Sequence, residues 1–167
     1  MGDSPSIARS KSKGPNAVLG EKAQMKTAAQ LLADARERLE RVTPRQAFAA
    51  AEAGALLVDI RLSEERLVQG TIPGALVISR NHLEWRLDPT CDARIPQTPG
   101  YDRHIIVFCV EGYTSSLAAA TLQDMGFVNA TDLDGGFMAW TKAGLPTEQP
   151  APVREHKAEM ETTVHTM

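Results

Sequence analysis

The sequence predicts an α/β fold, a mostly parallel sheet with helices on both faces. Short and almost continuous apolar runs alternate along the chain with segments whose apolar residues recur at helical spacing. Glycine and proline turns separate many of these segments from one another. A strand that is apolar along its whole length must be covered on both faces, as the strands of a parallel sheet are.

Length and charge narrow the range of functions. The 167 residues suffice for one domain with tails, and a net charge of −3 gives no basic field for nucleic acid or an anionic membrane. No apolar run is long enough to span a bilayer, and the amino terminus lacks an apolar signal segment. With only two cysteines, we expect no disulfide framework and a cytoplasmic location.

The first elements follow from local composition. Residues 1–24 are rich in serine, lysine, glycine and proline, and we expect a flexible tail there. Residues 25–41 have the pattern of an extra N-terminal helix, which we expect to pack on the domain. Thr43 and Pro44 have the side chains of an N-cap and a first helical position, so a second helix begins there. The domain is predicted over 42–146, and a second disordered tail over 147–167.

Four apolar runs are predicted to be strands: 55–60, 75–78, 104–108 and 129–133. Helices are predicted between or after them: 46–53, a helix beginning at 61–67, 116–125 and 137–142. A longer polar stretch over 79–100 contains a helical turn and Cys91, which we interpret as a bystander because it lies alone in a loop.

The third strand ends on Cys109, and a polar loop and an alanine-rich helix follow it. This order places a thiol at the carboxyl end of a strand, where α/β folds bind ligands, and at a helix amino terminus, which favours the reactive thiolate. If the loop curls around the sulfur, its backbone N–H groups form an anion-binding concavity, and Gly112 permits the turn. The chemistry indicated is nucleophilic attack by sulfur through a covalent intermediate. The loop residues are Val110, Glu111, Gly112, Tyr113, Thr114 and Ser115.

Other interpretations of these residues stay open. A cysteine buried at the end of a core strand is common and often inert. The four histidines are scattered, no metal-ligand spacing is present, and no glycine-rich nucleotide fingerprint occurs. We therefore expect neither a metal nor a cofactor.

Three motifs resemble those of rhodanese-type sulfurtransferase domains. Residues 57–61 and 70–75 are similar to the family's Asp-x-Arg strand and its Gly-His-Ile-Pro-Gly-Ala turn, 109–115 to its active-site loop, and 134–140 to its closing Gly-Gly-aromatic-x-x-Trp. The resemblance covers about residues 41–146 and implies a single domain with a five-stranded parallel sheet. It also implies that the cysteine carries a persulfide sulfur from a donor, thiosulfate or a persulfide, to a thiol or cyanide acceptor; a protein acceptor also fits.

The chain departs from the family pattern at two positions. Thr71 stands where the family often has histidine, a residue that is usually structural. Thr114 stands where many active-site loops of the family carry arginine, which would bind an oxyanion bidentately. Glu111 adds negative charge, so we expect weak activity toward thiosulfate. The missing arginine also disfavours the related phosphatases and arsenate reductases.

Arg61 and Arg80 are candidates to supply the missing charge, because both follow predicted strands near the site. For each, an ordinary salt bridge is the alternative. We interpret Asp59 as a structural hydrogen-bonding residue.

Two functions follow from these observations. The first is a sulfurtransferase acting through a Cys109 persulfide. The second is a non-catalytic rhodanese-like module for regulation or protein interaction, indicated by the missing loop arginine and the two tails.

Overall fold

The computed structural model describes residues 25–150, and in this range four strands form one parallel sheet in the order β2-β1-β3-β4. The two predicted tails lie largely outside the described residues. The strands are β1 Leu56–Asp59, β2 Leu76–Val77, β3 Ile105–Phe108 and β4 Ala130–Asp132. Every neighbouring pair is parallel, with Leu57 opposite Ile106 and Ile106 opposite Thr131. The predicted α/β class is confirmed.

The helices begin and end close to the predicted positions. They are α1 Ala28–Glu37, α2 Pro44–Glu52, α3 Ser63–Gln69, α4 Leu83–Leu87, α5 Thr114–Asp124 and α6 Gly136–Lys142, with a 3-10 turn Arg80–His82 before α4. Within the described part of the chain, no helix is both long enough and apolar enough to cross a membrane.

The expectation of five strands is wrong for residues 25–150, where the sheet has four. A single parallel bridge between Val42 and Leu133 lies beside the outer end of β4. There the Val42 N–H donates to Asp132 O at 3.1 Å and Val42 O accepts from the Asp134 N–H at 2.9 Å. The bridge cannot lengthen, because Thr43 caps α2 with a reciprocal capping box and Pro44 opens the helix without an N–H to donate.

Side chains of β3 alternate between two cores, one on each face of the sheet. Ile105 and Val107 pack in the first core, with Ala118 and Leu122 of α5. Ile106 and Phe108 pack in the second core, together with Ala47 of α2 and with Phe137 and Trp140 of α6. All four β3 side chains are buried, which is why the strand has no polar residue.

Helix α1 packs against α5 on its own domain. It starts at Thr27, whose side chain and Gln30 form a capping box. Ala35 is buried on the inner face, whereas Leu31 is 47% exposed. Arg38 ties the two helices at the surface, donating to Asp124 Oδ1 at 2.6 Å.

The fold continues slightly past residue 146, where the second tail was expected to begin. Glu148 forms an antiparallel bridge with Thr71, with hydrogen bonds of 2.8 and 2.9 Å in the two directions. The segment 147–150 thus covers the turn that precedes β2.

We expect Leu122→Ala to lower the free energy of unfolding by about 2–5 kcal/mol, because Leu122 is fully buried between α5 and the sheet. Leu117→Ala on the same helix is the matched control, since Leu117 is 38% exposed and should cost about 0.5 kcal/mol or less. Urea unfolding followed by circular dichroism measures both. Equal losses in the two variants would contradict the assigned inner face of α5.

Candidate active site

The carboxyl ends of β1, β3 and β4 bring distant parts of the chain to one edge of the sheet. Cys109 follows the last residue of β3, Asp59 ends β1, and Asp132 ends β4. Helix α5 begins at Thr114, directly after the loop that follows Cys109. Parallel strands place all these residues at the same edge, which is where the thiol was expected.

The loop after Cys109 curls around the sulfur. The Gly112 N–H donates to Cys109 Sγ at 3.2 Å, and Ser115 Oγ lies 3.5 Å from the same sulfur. The cysteine is a free thiol and is half-buried. Its sulfur is therefore held in place but open to a ligand from one side.

Backbone carbonyls at the start of the loop point away from the sulfur toward α6. Cys109 O accepts from the Phe137 N–H at 2.9 Å, and Val110 O accepts from the Met138 N–H at 3.0 Å. Every peptide in residues 25–150 is trans, so the N–H groups of Val110 and Glu111 point opposite to these carbonyls. Neither N–H has a protein acceptor among the described residues. Both are free to donate to an anion.

The start of α5 adds further free donors. Its N-cap residue is Tyr113, and no side chain caps the helix. An uncapped first turn leaves backbone N–H groups without partners and carries a partial positive charge. Thr114 and Ser115 form this first turn.

Glycine is the only residue type that fits at position 112. Its φ is +83°, and a Cβ there would lie 2.9 Å from Gly135 N and 3.1 Å from both Leu133 O and Arg41 Nη2. A side chain would meet both an unfavourable backbone conformation and rigid backbone atoms. Glycine at this position therefore allows the loop to lie directly on the α6 turn.

A buried polar cluster lies behind the loop, and sequence analysis missed it. We call Arg36, Arg41, Ser115, Ser116 and Asp132 the loop-anchoring cluster. Asp132 is fully buried and accepts from Ser115 Oγ at 3.0 Å and from Ser116 Oγ at 2.7 Å. Arg41 also donates to Asp132, through Nε at 2.8 Å and Nη2 at 3.1 Å. The remaining nitrogen, Arg41 Nη1, donates to Oδ1 of the exposed Asp134 at 2.8 Å.

The cluster keeps Arg41 charged. Burial lowers the pKa of Arg41, but the hydrogen bonds and charges of Asp132 and Asp134 outweigh burial and raise that pKa above its ordinary value. The sequence gives one indication of the cluster, two aspartates flanking Leu133, but nothing that links them to an arginine 91 residues earlier.

A cleft of about 350 Å³ opens beside the sulfur. It brings together Cys109, four of the six predicted loop residues and both candidate arginines. Its lining is Ile60, Arg61, Leu62, Glu65, Arg80, Cys109, Val110, Glu111, Tyr113 and Thr114. Gly112 and Ser115, the other two loop residues, are buried behind it.

Arg61 already has a carboxylate partner. Its guanidinium is buried and donates to both oxygens of Asp59, with the shortest distance 2.6 Å, and to Gly70 O at 2.9 Å. It also stacks on Phe137, 3.8 Å from the ring centroid. Asp59 thus makes the structural hydrogen bonds expected of it, and Arg61 ties the end of β1 to the turn at Gly70.

Arg80 is the more accessible of the two arginines. It is 34% exposed and forms an ion pair with Glu84 one turn later, at 2.7 Å. Such a half-exposed pair is weak and can exchange partners. Arg80 is therefore better placed than Arg61 to meet an anionic ligand.

We expect Gly112→Ala to destabilise the protein and slow the reaction of Cys109 with iodoacetamide, because the new methyl group displaces the loop. Gly74→Ala is the matched control: its φ is +77°, but a Cβ there would have no neighbour within 4 Å. The control should lose about 1–2 kcal/mol of unfolding free energy from backbone strain alone. Urea unfolding and alkylation rates in a Cys91→Ser background measure both effects. Equal behaviour of the two variants would show that the loop tolerates a side chain.

We expect Arg61→Gln to cost about 3–5 kcal/mol of unfolding free energy, because it leaves the buried Asp59 carboxylate unpaired. Arg80→Gln should cost about 1 kcal/mol or less, since its ion pair is half-exposed. Thermal or urea unfolding distinguishes them. A small loss for Arg61→Gln would argue against a structural role for the Asp59 pair.

Comparisons with known proteins show the family of this chain. The sequence model of the rhodanese-like domain family matches residues 43–143. A sulfurtransferase of Allochromatium vinosum is 38% identical over 95 residues, covering 57% of this chain and 79% of the relative. The thiosulfate sulfurtransferase GlpE of Stutzerimonas stutzeri is 37% identical over 101 residues, covering 60% of this chain and 84% of the relative.

Two solved structures have similar folds. A Rhodopseudomonas palustris protein of unknown function, described as a possible tyrosine phosphatase, superposes with a TM-score of 0.69 at 32% identity, covering 77% of this chain and 99% of its own. The human single-domain sulfurtransferase superposes with a TM-score of 0.53 at 29% identity, covering 61% and 95% of the two chains. Since the family model matches more than half of the sequence, this chain belongs to the rhodanese-like domain family.

Proposed function

We propose that this protein is a sulfurtransferase that moves a sulfane sulfur from a donor to a thiophilic acceptor through a persulfide on Cys109. The observation that carries the proposal is the environment of the sulfur. Cys109 Sγ lies at the wall of an open cleft, accepts a hydrogen bond from the Gly112 N–H and lies beside amides without partners. Relatives named sulfurtransferase support the same reaction.

The proposed reaction has two displacements and no net oxidation. The Cys109 thiolate attacks the outer sulfur of thiosulfate; a sulfur–sulfur bond forms, and sulfite leaves with the electron pair of the bond that breaks. A thiolate or cyanide acceptor then attacks the terminal sulfur of the persulfide. The sulfur leaves with the acceptor, and the electron pair of the broken bond returns to Cys109 as thiolate.

Loop amides stabilise the anions at both stages of this proposal. The Gly112 N–H donates to Sγ, and the free N–H groups of Val110 and Glu111 accommodate charge on the outer sulfur. Ser115 donates its one hydroxyl hydrogen to Asp132, and its oxygen accepts from the Cys109 thiol. Because Asp132 also accepts from Ser116 and Arg41, Ser115 can turn its hydrogen to an ionised sulfur without leaving that carboxylate unpaired.

Charges at the cleft disfavour a doubly charged donor. Arg61 and Arg80 are both paired with carboxylates, and neither Glu65 nor Glu111 forms an ion pair within residues 25–150. Thiosulfate, a dianion, therefore meets an uncompensated negative charge. A singly charged donor with an apolar group, such as an aromatic thiosulfonate or an organic persulfide, suits the apolar wall of Ile60 and Leu62 better.

A non-catalytic binding module remains the second candidate, because both cleft arginines already have partners. Phosphate ester hydrolysis is disfavoured, since residues 110–115 contain no arginine to hold phosphoryl oxygens bidentately.

Intact-protein mass spectrometry tests the proposal. After incubation with thiosulfate, or with benzenethiosulfonate, wild-type protein should gain the mass of one sulfur atom, and benzenethiosulfonate should load it faster. Cys91→Ser, the matched control, should gain the same mass, because Cys91 lies on a separate loop outside the cleft. Cys109→Ser should gain none.

Two results would contradict the proposal. Loading of Cys109→Ser would place the sulfur elsewhere. No loading of wild-type protein from either donor would favour the binding module.

A further inference from the structure

We propose that Arg36 and Arg41 are positioning residues for the Cys109 loop, although both precede the part of the chain that matches the family. They act on the backbone of Gly112, and through it they aim the loop amides at the sulfur. The inference rests on the proposed function for its catalytic meaning, but it can be tested on the reactivity of the thiol alone.

Gly112 is held from two sides. Its N–H donates to Cys109 Sγ at 3.2 Å, while its carbonyl accepts from Arg36 Nη2 at 2.9 Å and from Arg41 Nη2 at 3.1 Å. Ser116 Oγ also lies 3.2 Å from this oxygen, but it donates to Asp132 over a shorter 2.7 Å, so the two charged donors dominate and fix the direction of the carbonyl. Without them, the peptide after Gly112 could rotate more readily, because glycine resists rotation less than any other residue.

The carbonyl direction also sets the amide of Tyr113. The peptide that joins Gly112 to Tyr113 is planar and trans, so its N–H points away from the two arginines. This N–H has no protein acceptor among residues 25–150. The arginines therefore keep one more donor turned toward the open side of the loop, together with those of Val110 and Glu111.

Packing holds the arginines themselves in place. Arg41 is clamped by the buried Asp132, and Arg36 donates through Nε to Ser116 Oγ at 3.2 Å. The Arg36 guanidinium also lies over the Tyr113 ring, 5.4 Å from its centroid. Since Ser116 donates in turn to Asp132, the two arginines belong to one connected network behind the loop.

Neither arginine is hydrogen-bonded to the sulfur. Asp132 and Asp134 balance the charge of Arg41, and although Arg36 forms no ion pair within residues 25–150, its contact with the loop is the same backbone carbonyl. Their role is therefore geometric, and we expect a change of rate rather than of donor preference.

The test uses the full chain in a Cys91→Ser background, with Arg36→Gln and the double variant Arg41→Gln with Asp132→Asn. The double variant removes both charges of the buried pair, so that no buried carboxylate is left unpaired; Asp134, which also loses Arg41, is exposed to solvent. Arg38→Gln is the matched control. Arg38 lies between Arg36 and Arg41 in the sequence, but it binds Asp124 and Ala120 O and does not touch the loop.

Two rates are measured at a temperature where circular dichroism shows each variant to be folded. They are the alkylation of Cys109 by iodoacetamide and the loading of sulfur from benzenethiosulfonate. We expect both to fall about tenfold to a hundredfold in Arg36→Gln and in the double variant, because a misplaced loop costs that much. Arg38→Gln should match the parent, and Arg36→Lys, which keeps a cationic donor, should recover part of the loss.

A purely structural role predicts a different result. The variants would then lose unfolding free energy but keep both rates while folded, and that outcome would overturn the inference. An equal loss of rate in Arg38→Gln would overturn it as well. If wild-type protein loads no sulfur but the alkylation rates follow the expected order, the proposed function fails and the positioning role stands.

Discussion

The conformation of Gly112 is the constraint on which the rest of the site depends. One glycine donates its N–H to the sulfur and turns its carbonyl to two arginines on the opposite side. This arrangement needs a positive φ and a place too narrow for a Cβ, and the chain satisfies both by packing the loop on the turn before α6. The loop amides are available because the carbonyls of the same peptides are already bonded to α6 and to the arginines.

The parallel sheet brings the Cys109 loop and the start of α6 together. Its strands are all parallel, so the ends of β1, β3 and β4 meet at one edge, with α5 and α6 starting beside them. The second core, with Phe108, Phe137 and Trp140, seats α6 against the sheet and thereby places its first amides on the Cys109 and Val110 carbonyls. The geometry of the loop therefore depends on core packing, because a shift of α6 would break the hydrogen bonds that hold the start of the loop.

Charge is distributed unevenly around the cysteine. Behind the loop, Arg41 pairs with the buried Asp132 and the exposed Asp134, and Arg36 is held by Ser116 and the Gly112 carbonyl. In front, the cleft has arginines already paired and two glutamates that are not. The backbone, rather than a free cation, is left as the main group that can stabilise an anion, which suits a polarisable sulfur better than a compact dianion.

Local patterns in the sequence determined the order of strands and helices, the position of Cys109 at the end of β3 and the need for glycine in its loop. Those features depend on neighbours within a turn, such as the Thr43-Pro44 helix start and the apolar run of β3. Even the Asp59–Arg61 pair is local, because only one residue separates its members along the chain. The count of strands was overestimated because the bridge at Val42 competes with the helix that begins after it.

Tertiary structure alone decided what lies behind the loop. Arg36 and Arg41 reach Gly112 across 76 and 71 residues, and Arg41 reaches Asp132 across 91. Periodicity predicted a helix within residues 25–41, which is α1 Ala28–Glu37, but not that Arg36 would face the site, because that depends on how α1 lies on α5. Spacing within a sequence indicates which side chains share a face; only packing brings faces from different elements together.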